Sequence, residues 1–314
     1  MGKAGKQRAK ERRERRRHEI LELRKIPYPL ADRWWSSETV AVVTGSNRGI
    51  GFEIARQLAS HGLRVVVTSR DSVRGLEAAG VLREEGLDVD YCQLDVVDDS
   101  SVKTFADWIL ARHGGLDILV NNAGVNFNKG SDNSVGHAAK VIETNYFGMK
   151  RMIQTMVSLM KPSATGARIL NVSSRLGKLD GRRNKLMDVS LSEQLSKDEC
   201  LSESLINHMV YEFLKQVNDG SWISNGWPQM FTDYSVSKLA VNAYTRLMSR
   251  TLSSRPEGHK IHINCYCPGW VKTSMTDWAG NISAEEGADT GVWAVLLSES
   301  PTGNFFAERR EISF

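Results

Sequence analysis

The apolar run Val40-Ala41-Val42-Val43 passes directly into Thr44-Gly45-Ser46-Asn47-Arg48-Gly49-Ile50-Gly51, and then into a helical period from Phe52 to Leu58. Apolar at every position, the run reads as a buried strand. Ile50, Ile54 and Leu58 share one stripe of the helix that follows. The alternation repeats along the chain. Candidate strands begin near Val40, Arg64, Asp90, Asp117, Arg168, Lys260 and Gly303. Helical patterns fill 49–60, 72–85, 100–113, 135–160, 233–254 and 284–298. Strands alternating with helices predict an α/β fold, a doubly wound parallel sheet. Residues 38–314 are enough for one large core and are expected to form one domain behind a basic arm, 1–37.

Strand, glycine-rich turn and helix together make a phosphate cradle. Glycines let a pyrophosphate approach the backbone, and the helix N-terminus offers unpaired N–H groups and a positive dipole end. The spacing differs from GxGxxG, so that fingerprint is not met literally. Asn121-Asn122-Ala123-Gly124 follows the strand at 117–120, and Asn171-Val172-Ser173-Ser174 follows the one at 168–170. Hydroxyls at strand carboxyl ends point into the crevice where open α/β sheets bind ligands. Tyr234-Ser235-Val236-Ser237-Lys238 places a phenol and an ammonium one helical turn apart. A positive charge favours the phenolate, so the pair is a candidate acid/base centre.

In this order, the motifs resemble the short-chain dehydrogenase/reductase family with a TGxxxGxG cofactor turn, and the likeness runs from about Val40 to Phe306. Glu143-Thr144-Asn145-Tyr146-Phe147-Gly148 fits the helix carrying that family's catalytic asparagine, and Cys267-Pro268-Gly269-Trp270-Val271-Lys272-Thr273 its nicotinamide loop. Sixty positions separate Ser174 from Tyr234, with Asn225-Gly226-Trp227-Pro228 near the end of that segment. Such an insertion is similar to that of monomeric carbonyl reductases and of plant salutaridine and menthone or neomenthol reductases. It implies a helical flap over about 176–230, covering the face through which other members dimerise, and so a monomer. Apolar stripes through Leu191, Leu195, Leu201, Leu205, Ile206, Met209, Val210, Phe213, Leu214 and Val217 suit that flap.

The resemblance implies a Rossmann-type fold and reversible, NADPH-dependent reduction of a ketone or aldehyde. Tyr234 would be the acid, Ser174 would hold the carbonyl oxygen, and Lys238 would depress the tyrosine pKa and bind ribose. Asn145 would hold a relay water. Ser173 is the rival for the serine role, with a structural hydrogen bond its expected one. Cofactor contacts are expected from Gly45, Asn47, Arg48, Gly49, Ile50, Gly51, Asn122, Val271 and Thr273, with Asp95 and Val96 at the adenine. NAD-specific members carry an acid after the second strand. Here Thr68-Ser69-Arg70-Asp71 places Arg70 there, with Arg74 a turn later and Arg48 in the glycine turn. Three arginines favour a 2′-phosphate, hence NADP(H). Asp71 is expected to cap the next helix.

Trp222, Trp227, Met230, Phe231, Trp270 and Met275 are candidates for an apolar pocket, with some of them filling the flap interface; a bulky terpenoid, alkaloid or xenobiotic carbonyl compound fits the resemblance. Cys92, Cys200, Cys265 and Cys267 show no zinc-ligand spacing, so no metal is expected, and reduced thiols suit a cytoplasmic setting. No run is long and apolar enough for a membrane span, and no signal core is read. The first 25 residues hold eleven Lys and Arg against four Glu, so +7 of charge sits in the arm and −3 in the remainder of a chain whose total is +4. The arm reads as a solvated, charged helix, and the folded part carries no nucleic-acid stripe. A rival reading is an NADP-sensing regulatory protein that uses the arm for partner contact. Trp34-Trp35 is expected to dock the arm.

Overall fold

In the computed structural model, residues 3–129, 133–181 and 184–314 are described; Met1 and Gly2 of the arm and Arg182 and Arg183 of the insertion lie outside them. The chain runs α1 (Lys3–Arg24), β1 (Val40–Val43), α2 (Gly49–Ser60), β2 (Arg64–Ser69), α3 (Ser72–Glu84), β3 (Val89–Gln93), α4 (Asp99–His113) and β4 (Ile118–Asn121). Then come α5 (Ala138–Ile142), a π turn (Glu143–Gly148), α6 (Met149–Met156), β5 (Ala167–Val172), α7 (Val189–Ser196) and α8 (Glu203–Asp219). Last are α9 (Thr232–Ser253), β6 (Ile261–Tyr266), α10 (Ala284–Leu296), β7 (Phe305–Ala307) and β8 (Arg310–Ile312).

The sheet order is β3-β2-β1-β4-β5-β6-β7-β8, parallel except for β7 with β8. Val42 lies beside Val66 of β2 and Leu119 of β4. The chain reverses its direction of travel across the sheet between β1 and β4, and a crevice opens there at the strands' carboxyl ends. All four residues of β1 are buried, as an interior strand covered on both faces requires. Val42 and Val66 join the core under α4, α6 and α9, while Val43 and Val67 join the core under α2, α3 and α10.

Two features depart from the expected elements. The helix expected over 135–160 is broken by the π turn, which holds Asn145. β8 was not expected. It forms a hairpin with β7 through Glu308 and Arg309, both left-handed (φ 56° and 51°), and Arg310-Glu311-Ile312 is too short to show an alternation. The insertion before α9 sends Leu195, Ile206, Met209, Val210, Phe213 and Trp227 into the same core as Tyr146, Met149 and Leu239. At the other end, the Trp35 indole is buried and donates to the His61 carbonyl (3.1 Å). The buried Arg168 guanidinium lies 4.5 Å from the Trp34 ring.

Candidate active site

The glycine turn sits at the β1–β4 crevice. Gly45 and Gly49 are left-handed (φ 61° and 60°), a conformation that favours glycine. A Cβ at Gly51 would lie 2.3 Å from Asn122 Nδ2 and 2.8 Å from the Gly45 carbonyl. Asn122 donates through Nδ2 to the carbonyls of Thr44 (2.9 Å) and Gly45 (3.0 Å), so its amide fastens the turn. Asp71, Asp98, Ser202 and Ser283 each cap their helices through a side chain, but Arg48 ahead of α2 makes no such bond. The first amides of α2 therefore remain available to an anion, and a dinucleotide pyrophosphate fits the cradle. Thr273 reaches this turn, since its Cγ2 would lie 3.5 Å from a Cβ at Gly49.

Arg48, Arg70 and Arg74 are exposed around the end of β2. Asp71 accepts from the Arg74 backbone N–H (3.1 Å) as cap of α3, and its other oxygen lies 3.6 Å from Arg74 Nε. Arg70 and Arg48 have no ion-pair partner among the described residues, which leaves two cations at the end of β2 free to meet an anion. Asp95 accepts from Val97 N–H (3.2 Å), and Val96 is buried against Gly148.

Ser174 leaves the end of β5, and its Oγ accepts from Leu176 N–H (3.1 Å). The turn after it lies against α9: a Cβ at Gly177 would be 2.4 Å from the Lys238 carbonyl carbon. Lys238 Nζ donates to the Val172 carbonyl (2.8 Å), two residues before Ser174, and lies 5.5 Å from the centre of the Tyr234 ring. Ser173 donates to Asn242 Oδ1 (2.5 Å), a structural bond inside the core. Asn145 donates to Ser237 Oγ (3.0 Å) and the Val125 carbonyl (2.9 Å), and accepts from Val125 N–H (2.8 Å). A π turn at such a residue is common at functional sites.

Burial governs the charges here. It pushes the Lys238 ammonium down to about 8. It raises the Tyr234 phenol above its ordinary value, with the Cys267 thiol adding to the rise. The net direction at Tyr234 is thus opposite to the depression expected from Lys238. The reason is desolvation, which disfavours the ionised form of both groups.

Beside the tyrosine, Asp233 is fully buried, and motif spacing did not single it out. Its Oδ1 accepts from Asn128 Nδ2 (2.6 Å) and Tyr234 N–H (2.7 Å), and burial raises its pKa. Asn133 likewise binds Thr232 through side chain and backbone, so the loop after β4 is fastened to the first turn of α9. Of the expected pocket residues, Trp227 is buried against Phe213 and donates to Gln216, inside the insertion. Trp222 also packs on that core. Met230, Trp270 and Met275 stay exposed near the strands' carboxyl ends.

Residues 39–185 match the family described as short chain dehydrogenase. (+)-Neomenthol dehydrogenase of Arabidopsis thaliana is 37% identical over 87% of this chain and 97% of its own. Carbonyl reductase [NADPH] 1 of Bos taurus is 37% identical over 89% and 99%. Among solved structures, salutaridine reductase from Papaver somniferum superposes with a TM-score of 0.76 at 35% identity, covering 85% of this chain and 99% of that one.

Proposed function

The chain belongs to the short-chain dehydrogenase/reductase family, an oxidoreductase acting on carbonyl and alcohol groups, and on that premise we propose that it reduces a bulky apolar ketone or aldehyde with NADPH. One observation carries the reading. Ser174, Tyr234 and Lys238 are held at one strand end by the Gly177 contact and the Lys238–Val172 bond, with the glycine turn alongside.

NADPH supplies hydride to the carbonyl carbon when bound. Tyr234 gives the proton to the alkoxide, and the phenol's raised pKa keeps it protonated for that role. Ser174 Oγ donates to the same oxygen and stabilises its developing charge. Lys238 binds the nicotinamide ribose, and its charge favours the tyrosinate left behind. Asn145 orders the helix turn behind Ser237 and holds the relay water. Gly45, Asn47, Gly49, Ile50 and Gly51 would hold the pyrophosphate, and Val271 and Thr273 would contact the nicotinamide. Arg48, Arg70 and Arg74 would hold the 2′-phosphate, and Asp95 and Val96 would border the adenine.

We read 38–314 as one catalytic domain, 176–230 as its flap, the protein as a monomer and its setting as cytoplasmic, which suits four unpaired thiols. NADPH oxidation followed by absorbance against a panel of cyclic and aromatic ketones tests the reading. Tyr234→Phe should abolish turnover while NADPH still binds; a rate near wild type would overturn the assignment. The intact Asn145, Ser174, Tyr234 and Lys238 set favours turnover over a purely sensing role.

A further inference from the structure

The arm helix α1 is attached along α10 and beside the residue that follows β7. Arg17 pairs with Glu286 (2.5 Å), and Arg24 pairs with Glu285 (2.5 Å) and Asp289 (3.2 Å), all in the first turns of α10. Arg16 donates to the Glu308 carbonyl (2.6 Å), just beyond the carboxyl end of β7. The Glu308 carboxylate in turn pairs with Arg175 (3.2 Å), the residue after Ser174. These contacts involve three of the arm's cations. Arg8, Arg12, Arg13 and Arg15 remain exposed and have no ion-pair partner among the described residues. Directly after this basic stretch Leu21, Leu23, Ile26 and Leu30 are exposed, Ile26 at 64% and Leu30 at 81%.

We propose that α1 and the segment to Leu30 form a docking surface for an acidic phospholipid bilayer. Charge complementarity identifies the partner. The arm holds +7 while the remainder holds −3, so a polyanion is drawn to the arm alone. The exposed apolar residues favour lipid over nucleic acid, because an interface buries Leu and Ile while a phosphate backbone does not. If the crevice takes an apolar carbonyl compound, as proposed above, such a compound partitions into the bilayer that the arm reaches. Docking itself does not depend on that reading.

The test is co-sedimentation of the full chain with vesicles of phosphatidylcholine alone or mixed equally with phosphatidylserine. Binding is expected only to the mixed vesicles, and salt should weaken it. Each basic residue near an acidic surface contributes roughly a fivefold affinity gain. Replacing Arg8, Arg12, Arg13 and Arg15 by Gln should therefore weaken binding by roughly several hundredfold. Thermal stability of that variant should match wild type, since these four residues make no ion pair with the folded part. Equal sedimentation with both vesicle types, or no loss in the variant, would overturn the proposal. So would tighter binding to double-stranded RNA than to the mixed vesicles at the same salt. A Ser replacement of Leu21, Ile26 and Leu30 should weaken vesicle binding while leaving any RNA binding unchanged; the reverse pattern also counts against lipid.

Discussion

Gly177→Ala tests whether the contact between the Ser174 turn and α9 sets the active site. The added Cβ would lie 2.4 Å from the Lys238 carbonyl carbon, 2.6 Å from Leu239 N and 2.6 Å from the Lys238 carbonyl oxygen. All three are backbone atoms in the middle of a 22-residue helix, so no side chain can swing aside. Either the turn or α9 must move by close to 1 Å to restore ordinary contact. Overpacking of this kind costs about 1–3 kcal/mol. In a domain of a few hundred residues each kcal/mol lowers Tm by about 2–4 °C. The larger effect should be on rate, because the turn carries Ser174 and the helix carries Tyr234 and Lys238. A displacement of about 1 Å between reacting groups costs around a hundredfold. Gly80→Ala in α3 is the control: a Cβ there meets nothing within 4 Å, and Ala should stabilise the helix by up to about 1 kcal/mol. Thermal denaturation and NADPH turnover on both variants give the readout. If Gly177→Ala kept wild-type Tm and rate, the close approach would not exist and the site geometry argued from it would fail.

Further outcomes follow from the same structure. Arg70→Ala should weaken NADPH by about 1.5–3 kcal/mol and leave NADH nearly unchanged in a fluorescence titration, and equal losses would show that Arg70 does not read the 2′-phosphate. Burial lowers the Lys238 pKa to about 8, below its unfolded value, so the unfolded chain holds the extra proton above that pH and wild-type stability gains as pH rises from about 8 toward the ordinary lysine range. Lys238→Met should abolish that gain and collapse turnover; parallel Tm curves for mutant and wild type across this window would refute the burial account. Because the insertion's apolar stripe is buried with α6 and α9, sedimentation should give a monomer at micromolar concentration, and a dimer built through α5, α6 and α9 would rule out the flap.

Much of the fold was legible because its signals are local. The apolar run of β1, the glycine turn and the stripe of α2 lie within twenty residues and specify one strand–turn–helix unit whatever surrounds them. Tyr234 and Lys238 are one helical turn apart in any α-helix, so their pairing needed no tertiary information. The Asp71 cap was readable for the same reason.

What remained hidden depends on which distant segments meet. β8 has no pattern of its own and is a strand only because β7 offers an edge to a hairpin turning through Glu308 and Arg309. The π turn at Asn145 is stabilised by Val125 and Ser237, 20 and 92 positions away. Asn122 ties the glycine turn only because β1 and β4 are neighbours. The direction of the tyrosine shift depended on burial, which a motif does not contain: spacing places a lysine beside a phenol, but the packed interior decides how far each is desolvated. The basic arm could be counted from the sequence, yet only the packed molecule placed Glu285, Glu286 and Asp289 on one helix face where Arg17 and Arg24 reach them. Sequence order determined the elements and the reacting groups, because those interactions span a turn or two of chain. The tertiary fold decided their charge states and their supports, because desolvation and close contact arise only where remote segments pack together.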